Sequence, residues 1–183
     1  ADSLVDMYAS RMLENQTASG KFSPDGSSWE EVQFTAENVA ALAPHTDKEY
    51  IAKAIDKAIE YLSSVQLADG SFPGRDGQPD GEATLAVLDM MNAAGISLDD
   101  DRFVKNGNTV ADGLRTFYIE GVGFVSKTEV ESSVDGLSDI PSYENPVMDF
   151  SSAVSALTYL QAAENGKFGP DGKGNSVFEI VGS

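Results

Sequence analysis

Seven side chains form the constellation with the most chemical potential in this sequence: Trp29, Phe34, Glu37, Glu82, Tyr143, Asp149 and Phe150. Aromatic faces beside carboxylates suit the capture of an apolar or amphiphilic ligand, the rings supplying area and the acids orientation. The same residue types have a plainer use, as core rings and as carboxylates at helix N-termini. Catalytic sets are harder to find. His45 is the sole histidine, and it stands after Pro44 in a loop with no Ser–His–Asp arrangement around it. There is no Cys, which excludes thiolate nucleophiles, disulfides and sulfur-ligated zinc. Asp76 opens a stretch with calcium-ligand types at its first, third and fifth positions and Gly81 at its sixth. Its twelfth position is Val87, where an EF-hand needs Glu. The stretch from Asp171 has Lys173 third and Ser176 sixth, and fails as well. No catalytic residue, metal site or obligatory cofactor is therefore expected. Asn15-Gln16-Thr17 fits a glycosylation sequon, a pattern short enough to arise by chance.

Charge narrows the partners. Thirty acidic residues against 12 basic ones give a net charge of −18, the wrong sign for phosphate backbones, so nucleic acid is excluded as an expectation. Anionic membrane surfaces are disfavoured for the same reason. No apolar run approaches the ~20 residues of a membrane span, so membrane insertion is not expected. The start, Ala1-Asp2-Ser3-Leu4-Val5-Asp6, carries neither a basic segment nor an apolar one, as in a mature chain. With 183 residues the chain suits a single domain, 1–183.

The elements that must position these side chains repeat. Met12-x3-Gln16-x3-Gly20-Lys21-Phe22 returns as Leu62-x3-Gln66-x3-Gly70-Ser71-Phe72, and again as Leu114-x3-Tyr118 followed by Gly121-Val122-Gly123-Phe124. Each copy has the same mechanics. Leu62 and Gln66 lie one turn apart on a helix face, and Gly70 can take the left-handed conformation that ends the helix. Phe72 then folds back onto the hairpin. The first helix of a pair is amphipathic: Ile51, Ile55, Ile59, Leu62 and Val65 form a stripe, with Lys53, Asp56, Lys57 and Glu60 elsewhere. The second is small and apolar on more than one side, as in TAENVAALA from Thr35, EATLAVLDMMNAA from Glu82 and DFSSAVSALTYLQA from Asp149. Thr35, Asp80 and Asp149 read as N-caps of these inner helices. Pro-Asp-Gly turns begin at Pro24, Pro79 and Pro170. The expectation is an all-α fold of about three helical hairpins, roughly 3–43, 47–95 and 103–164, with outer amphipathic and inner small-residue helices. Its Gly-x-Phe loops gather at one end, and the seven residues named above line a funnel at the inner-helix N-termini. The longest connection, 125–148, has no periodicity and is a second candidate contact surface. Gly20-Lys21-Phe22-Ser23-Pro24-Asp25-Gly26 also returns as Gly166-Lys167-Phe168-Gly169-Pro170-Asp171-Gly172, after an inner-type helix and so out of step with the alternation.

The Gln-x3-Gly-x-Phe turn resembles the repeat of the squalene cyclase and prenyltransferase superfamily, whose α/α toroids pack outer helices around inner ones; that family usually has Trp at the places of Phe22 and Phe72. Over roughly residues 31–180 the chain is more similar to a branch found in surface and secreted proteins of Gram-positive bacteria. The likeness lies in the stretch from Leu42-Ala43-Pro44 through Tyr61 to Gln66, and in Asp101 to Gly107, Phe117 to Gly121 and Gly174 to Glu179. That branch is similar in architecture to the helical domain of cobalamin carriers. The resemblance implies a partial toroid, since complete ones hold more hairpins than three, and an extracellular or cell-surface location. Family cyclases protonate substrate from Asp-x-Asp-Asp. Leu98-Asp99-Asp100-Asp101 lacks the first Asp at that spacing, and no Asp-Asp-x-x-Asp occurs. The zinc of protein prenyltransferases and the thioester of complement-like domains both need Cys. What the resemblance implies is a non-catalytic binding or interaction module for a small amphiphilic ligand, a corrinoid among the candidates, or for a protein or glycan partner. A partial cyclase-like enzyme and a structural or adhesion repeat remain open alternatives.

Overall fold

In a computed structural model of the chain, residues 3–23, 31–127 and 146–168 are described. The fold is predominantly helical, with two small antiparallel hairpins that helical periodicity gave no sign of. Six α-helices occur among the described residues: α1 (Leu4–Leu13), α2 (Glu31–Leu42), α3 (Glu49–Val65), α4 (Gly81–Ala94), α5 (Val110–Arg115) and α6 (Phe150–Glu164). Strands β1 (Phe72–Pro73) and β2 (Pro79–Asp80) pair with Phe72 opposite Asp80; β3 (Tyr118–Ile119) and β4 (Gly123–Phe124) pair with Tyr118 opposite Phe124.

Helices α3 and α4 show the two burial styles. On α3, Ile51, Ile55, Ile59 and Leu62 are buried along one stripe, while Lys53, Asp56, Lys57 and Glu60 are exposed. On α4, nine of fourteen residues are buried, including Thr84, Leu85, Leu88 and Met91, which leaves one narrow polar strip. Helix α2 packs chiefly on α4, and α4 in turn touches both α5 and α6. The α2–α4 pair is the centre of the core, and Phe22, Phe72, Phe103 and Tyr159 fill the space around it.

The Gly-x-Phe repeat is a staple between successive hairpins. Gln16 Nε2 donates to Gly20 O at 3.0 Å and to Ala54 O at 2.7 Å; Gln66 Nε2 donates to Gly70 O and Phe103 O, both at 3.0 Å. One amide thus closes its own turn and grips the backbone of a segment 38 or 37 residues further on. The Phe that follows is wholly buried, and its amide donates to a threonine one helix on: Phe22 N to Thr35 Oγ1 at 2.9 Å, Phe72 N to Thr84 Oγ1 at 3.0 Å. This corrects the reading of Thr35 as an N-cap. Helix α2 already runs at Glu31, and Thr35 lies one turn inside it, a buried acceptor for the Phe22 amide.

The other two expected caps are present. Asp80 accepts from Ala83 N at 2.9 Å and Asp149 from Ser152 N at 2.8 Å. The Asp149 carboxyl is held below the ordinary carboxylate range, chiefly by the Ser152 amide and then by the Ser151 hydroxyl. Asp6, Asp76 and Asp100 are held low too, by Lys48, Lys127 and Arg102 respectively. The sign is that of depressed carboxylates: their contribution is complete above the unfolded value near ~4 and is lost as pH falls through the lower folded values. The urea midpoint is therefore expected to fall between neutral pH and pH below about 3. Asp149→Asn keeps the cap but cannot titrate, so it should show a smaller drop; an equal drop would remove Asp149 from the account.

Candidate functional site

Two adjacent pockets, an outer and an inner lobe, lie along the polar strip of α4 and have Gln33 and Glu82 in both linings. The outer lobe, about 670 Å³, lies between the start of α2 and the loops that precede α4 and follow β4. Its position is set by an interlocked set of backbones. Gly81 N donates to Ser126 O at 2.8 Å, and Ser126 N donates to Pro146 O at 2.6 Å. Val125 bridges Val147, and Met148 N reaches Phe124 O at 2.9 Å. A Cβ on Gly81 would lie 2.5 Å from both Val125 O and the Met148 methyl carbon, so only glycine lets α4 start against these strands. The arrangement carries Lys127 to the lobe, where its Nζ meets Asp76 at 2.6 Å and Asp80 at 4.0 Å.

The inner lobe, about 250 Å³, lies among α2, α4 and α6. Gln33 and Glu37 stand one turn apart on α2, joined by a 3.0 Å bond from Gln33 Nε2. On α4, Glu82, Leu85, Ala86 and Asp89 follow the spacing of one helix face. Helix α6 adds Ser151, Ser152, Ser155 and Tyr159. The Ser152 hydroxyl donates to Glu82 Oε2 at 3.1 Å, and the Tyr159 hydroxyl donates to Asp89 Oδ1. Burial first, and the Asp89 carboxylate second, push the Tyr159 phenol far above its ordinary value. It therefore stays a protonated donor at every physiological pH and offers no nucleophile. What the helices present to the lobe is acceptor-rich: three carboxylates, serine hydroxyls and one amide. Such a wall suits a ligand with hydroxyl or ammonium donors.

The structure brings two of the sequence-derived residues together here, Glu37 and Glu82. Phe34 is half-buried against the core, and its carbonyl accepts from Asn38 Nδ2 at 2.8 Å. Asp149 is used as the α6 cap, and Phe150 is 86% exposed on another side of that helix. Trp29 and Tyr143 lie outside the described residues. Gln33, Asp89, Ser155 and Tyr159 escaped the sequence reading. The available signal was the seven-residue spacing of Glu82 and Asp89 on an otherwise apolar helix. No group of three His, Cys, Asp or Glu is placed to hold a metal ion among the described residues. None of the helices among them is long and apolar enough to cross a membrane. No protein-family model, curated protein or solved structure matches the chain.

Proposed function

We propose that the chain is a non-catalytic binding module of α/α-toroid type, from a bacterial surface or secreted protein, and that its cleft takes a glycan bearing amino sugars. The observation that carries this reading is the set of carboxylates lining the inner lobe, Glu37 from α2 and Glu82 and Asp89 from α4, with serine hydroxyls alongside and the Tyr159 hydroxyl bonded to Asp89. Carboxylates paired with donors of this kind bind sugar hydroxyls and ammonium groups through charge-assisted hydrogen bonds. The two lobes together fall in the size range of small-ligand sites, about 300–1,000 Å³. The repeat staples and the burial contrast between α3 and α4 support the toroid-type assignment, although α6, expected as a third inner helix, keeps one apolar face exposed; the acidic composition suits an exported protein. An apolar or corrinoid ligand finds less support in the described wall, where Tyr159 is the sole aromatic side chain of the inner lobe.

Titration of the full chain with a glucosamine oligomer, a neutral glucose oligomer and cobinamide tests the reading. The glucosamine oligomer should bind most tightly. Glu82→Gln combined with Asp89→Asn should weaken it tenfold or more, ~1.4 kcal/mol or above. Added salt should weaken it as well. Tighter binding of cobinamide than of either sugar, or no binding of any probe, would overturn the proposal.

A further inference from the structure

An Asp or Asn that precedes glycine carries a latent reaction. The glycine nitrogen can attack the side-chain carbonyl before it, because no Cβ on the glycine stands in the way. The described residues hold six such pairs, and five are restrained in the same manner. Gly70 N donates to Leu67 O, Gly77 N to Gly74 O, Gly81 N to Ser126 O, Gly113 N to Thr109 O and Gly166 N to Ala163 O, at 2.8–3.1 Å. A nitrogen whose proton is held in this way must give up that bond before it can react.

The sixth pair, Asn106-Gly107, differs. Lys105 N donates to Asn108 O at 2.9 Å and Asn108 N to Lys105 O at 2.8 Å, which leaves Asn106 and Gly107 as the central residues of a tight turn. Their φ values, +53° and +84°, are those of the type I′ turn that Asn-Gly favours. Both residues are exposed. Such a turn engages the amides of its outer residues alone. Gly107 N and the Asn106 side-chain amide have no hydrogen-bond partner among the described residues. Ring closure needs the peptide between the two to rotate out of this conformation. At an exposed turn held by one residue pair, that opening is local.

We infer that Asn106 is a site of spontaneous deamidation. Gly107 N loses its proton to hydroxide and attacks Asn106 Cγ. The N–Cγ bond forms, the Cγ–Nδ2 bond breaks, and Nδ2 leaves as ammonia, taking a proton from water. The resulting succinimide is then opened by water at either carbonyl. Opening at Cγ gives an aspartyl residue and leaves the main chain as it was; Asp-Gly suits a type I′ turn too, so the turn persists. Opening at the main-chain carbonyl gives an isoaspartyl residue, in which the chain runs through Cγ. The extra chain carbon then lies between Lys105 and Asn108, out of register with their two cross-bonds. Asn108 Nδ2 also donates to Ala68 O at 2.9 Å, so the altered turn sits directly against the second repeat turn. Either product adds a negative charge to a chain already at −18.

The test is to incubate the folded full chain in mildly alkaline buffer and follow its peptides by mass spectrometry, scoring the replacement of amide by hydroxyl. Asn165-Gly166 is the internal control, the same dipeptide with its glycine nitrogen bonded to Ala163 O. In the folded chain Asn106 should convert about tenfold faster than Asn165, the weight of one hydrogen bond. In guanidinium the two should convert at similar rates, and isoaspartyl peptide should appear at both. Equal conversion of the two asparagines in the folded chain would overturn the inference. So would an Asn106 that outlasts Asn165, or one that stays intact in the folded chain while the unfolded chain reacts.

Discussion

Gly70→Ala is expected to leave the chain largely unfolded, with no cooperative urea transition of native amplitude. Two costs combine. The backbone at Gly70 has φ +89°, a region that costs an L-residue about 1 kcal/mol. The larger cost is contact. The new methyl would lie 2.1 Å from Thr109 O and 3.0 Å from its carbonyl carbon, both backbone atoms with no rotamer to escape into. Thr109 O also accepts the Gly113 amide at 3.1 Å, and Thr109 forms a capping box with Asp112. Pushing that carbonyl aside opens the start of α5. Gly113 approaches the same turn from the other side, 2.3 Å from Ser71 N to its own imagined Cβ. A loss above ~4 kcal/mol is expected, a large part of the ~5–15 kcal/mol that holds a domain. Gly77→Ala separates the two causes. Gly77 also has positive φ, +77°, but an added Cβ there meets nothing within 4 Å among the described residues, and the change should cost only ~1 kcal/mol. Equal losses at the two sites would mean that strain, not the close approach, sets the cost.

The second large effect is expected at Gln66. Gln66→Ala strips the donor from Gly70 O and Phe103 O at a site where Gln66 is buried and water has little access. Each orphaned buried carbonyl costs about 1–3 kcal/mol, and the lost side-chain volume adds to it. A destabilisation of ~3–4 kcal/mol in urea melts is expected. Gln16→Ala removes the same pair of bonds in the first hairpin, but Gln16 is half-buried, and water can replace the amide there. It should cost only ~1 kcal/mol. If Gln16 proves the more costly of the two, burial is not what makes the staple matter. Gln66 Oε1 is buried without a hydrogen-bond partner among the described residues, so the staple is made by the NH2 group.

The repeat was legible in the sequence because its parts are local. Gln, Gly and Phe within seven residues mark a turn whatever surrounds it, and Ile51 to Val65 declare an amphipathic helix by spacing alone. The purpose of the Gln was not legible, since its second acceptor lies 38 residues on in one copy and 37 in the next. Thr35 misled for a related reason. A threonine before an apolar run is a good cap by rule, but the partner that decides its role is the Phe22 amide from the preceding turn. The cleft was half legible. Glu37 and Glu82 stood out as acids in small-residue helices, whereas Asp89 and Tyr159 meet only when α4 and α6 pack, 70 residues apart in sequence. Phe150 was assigned to the rim by its nearness to the cap. Helical phase puts Ser151 and Ser152 in the cleft instead and turns Phe150 toward solvent.

The bridge between Val125 and Val147, with the bond from Ser126 N to Pro146 O, ties together two stretches 20 residues apart in sequence. Gly81 N donates to Ser126 O and Met148 N to Phe124 O at the same place. The starts of α4 and α6 are therefore registered to one another by main-chain bonds, whichever side chains the clasp carries, and most substitutions along it would leave that registration intact.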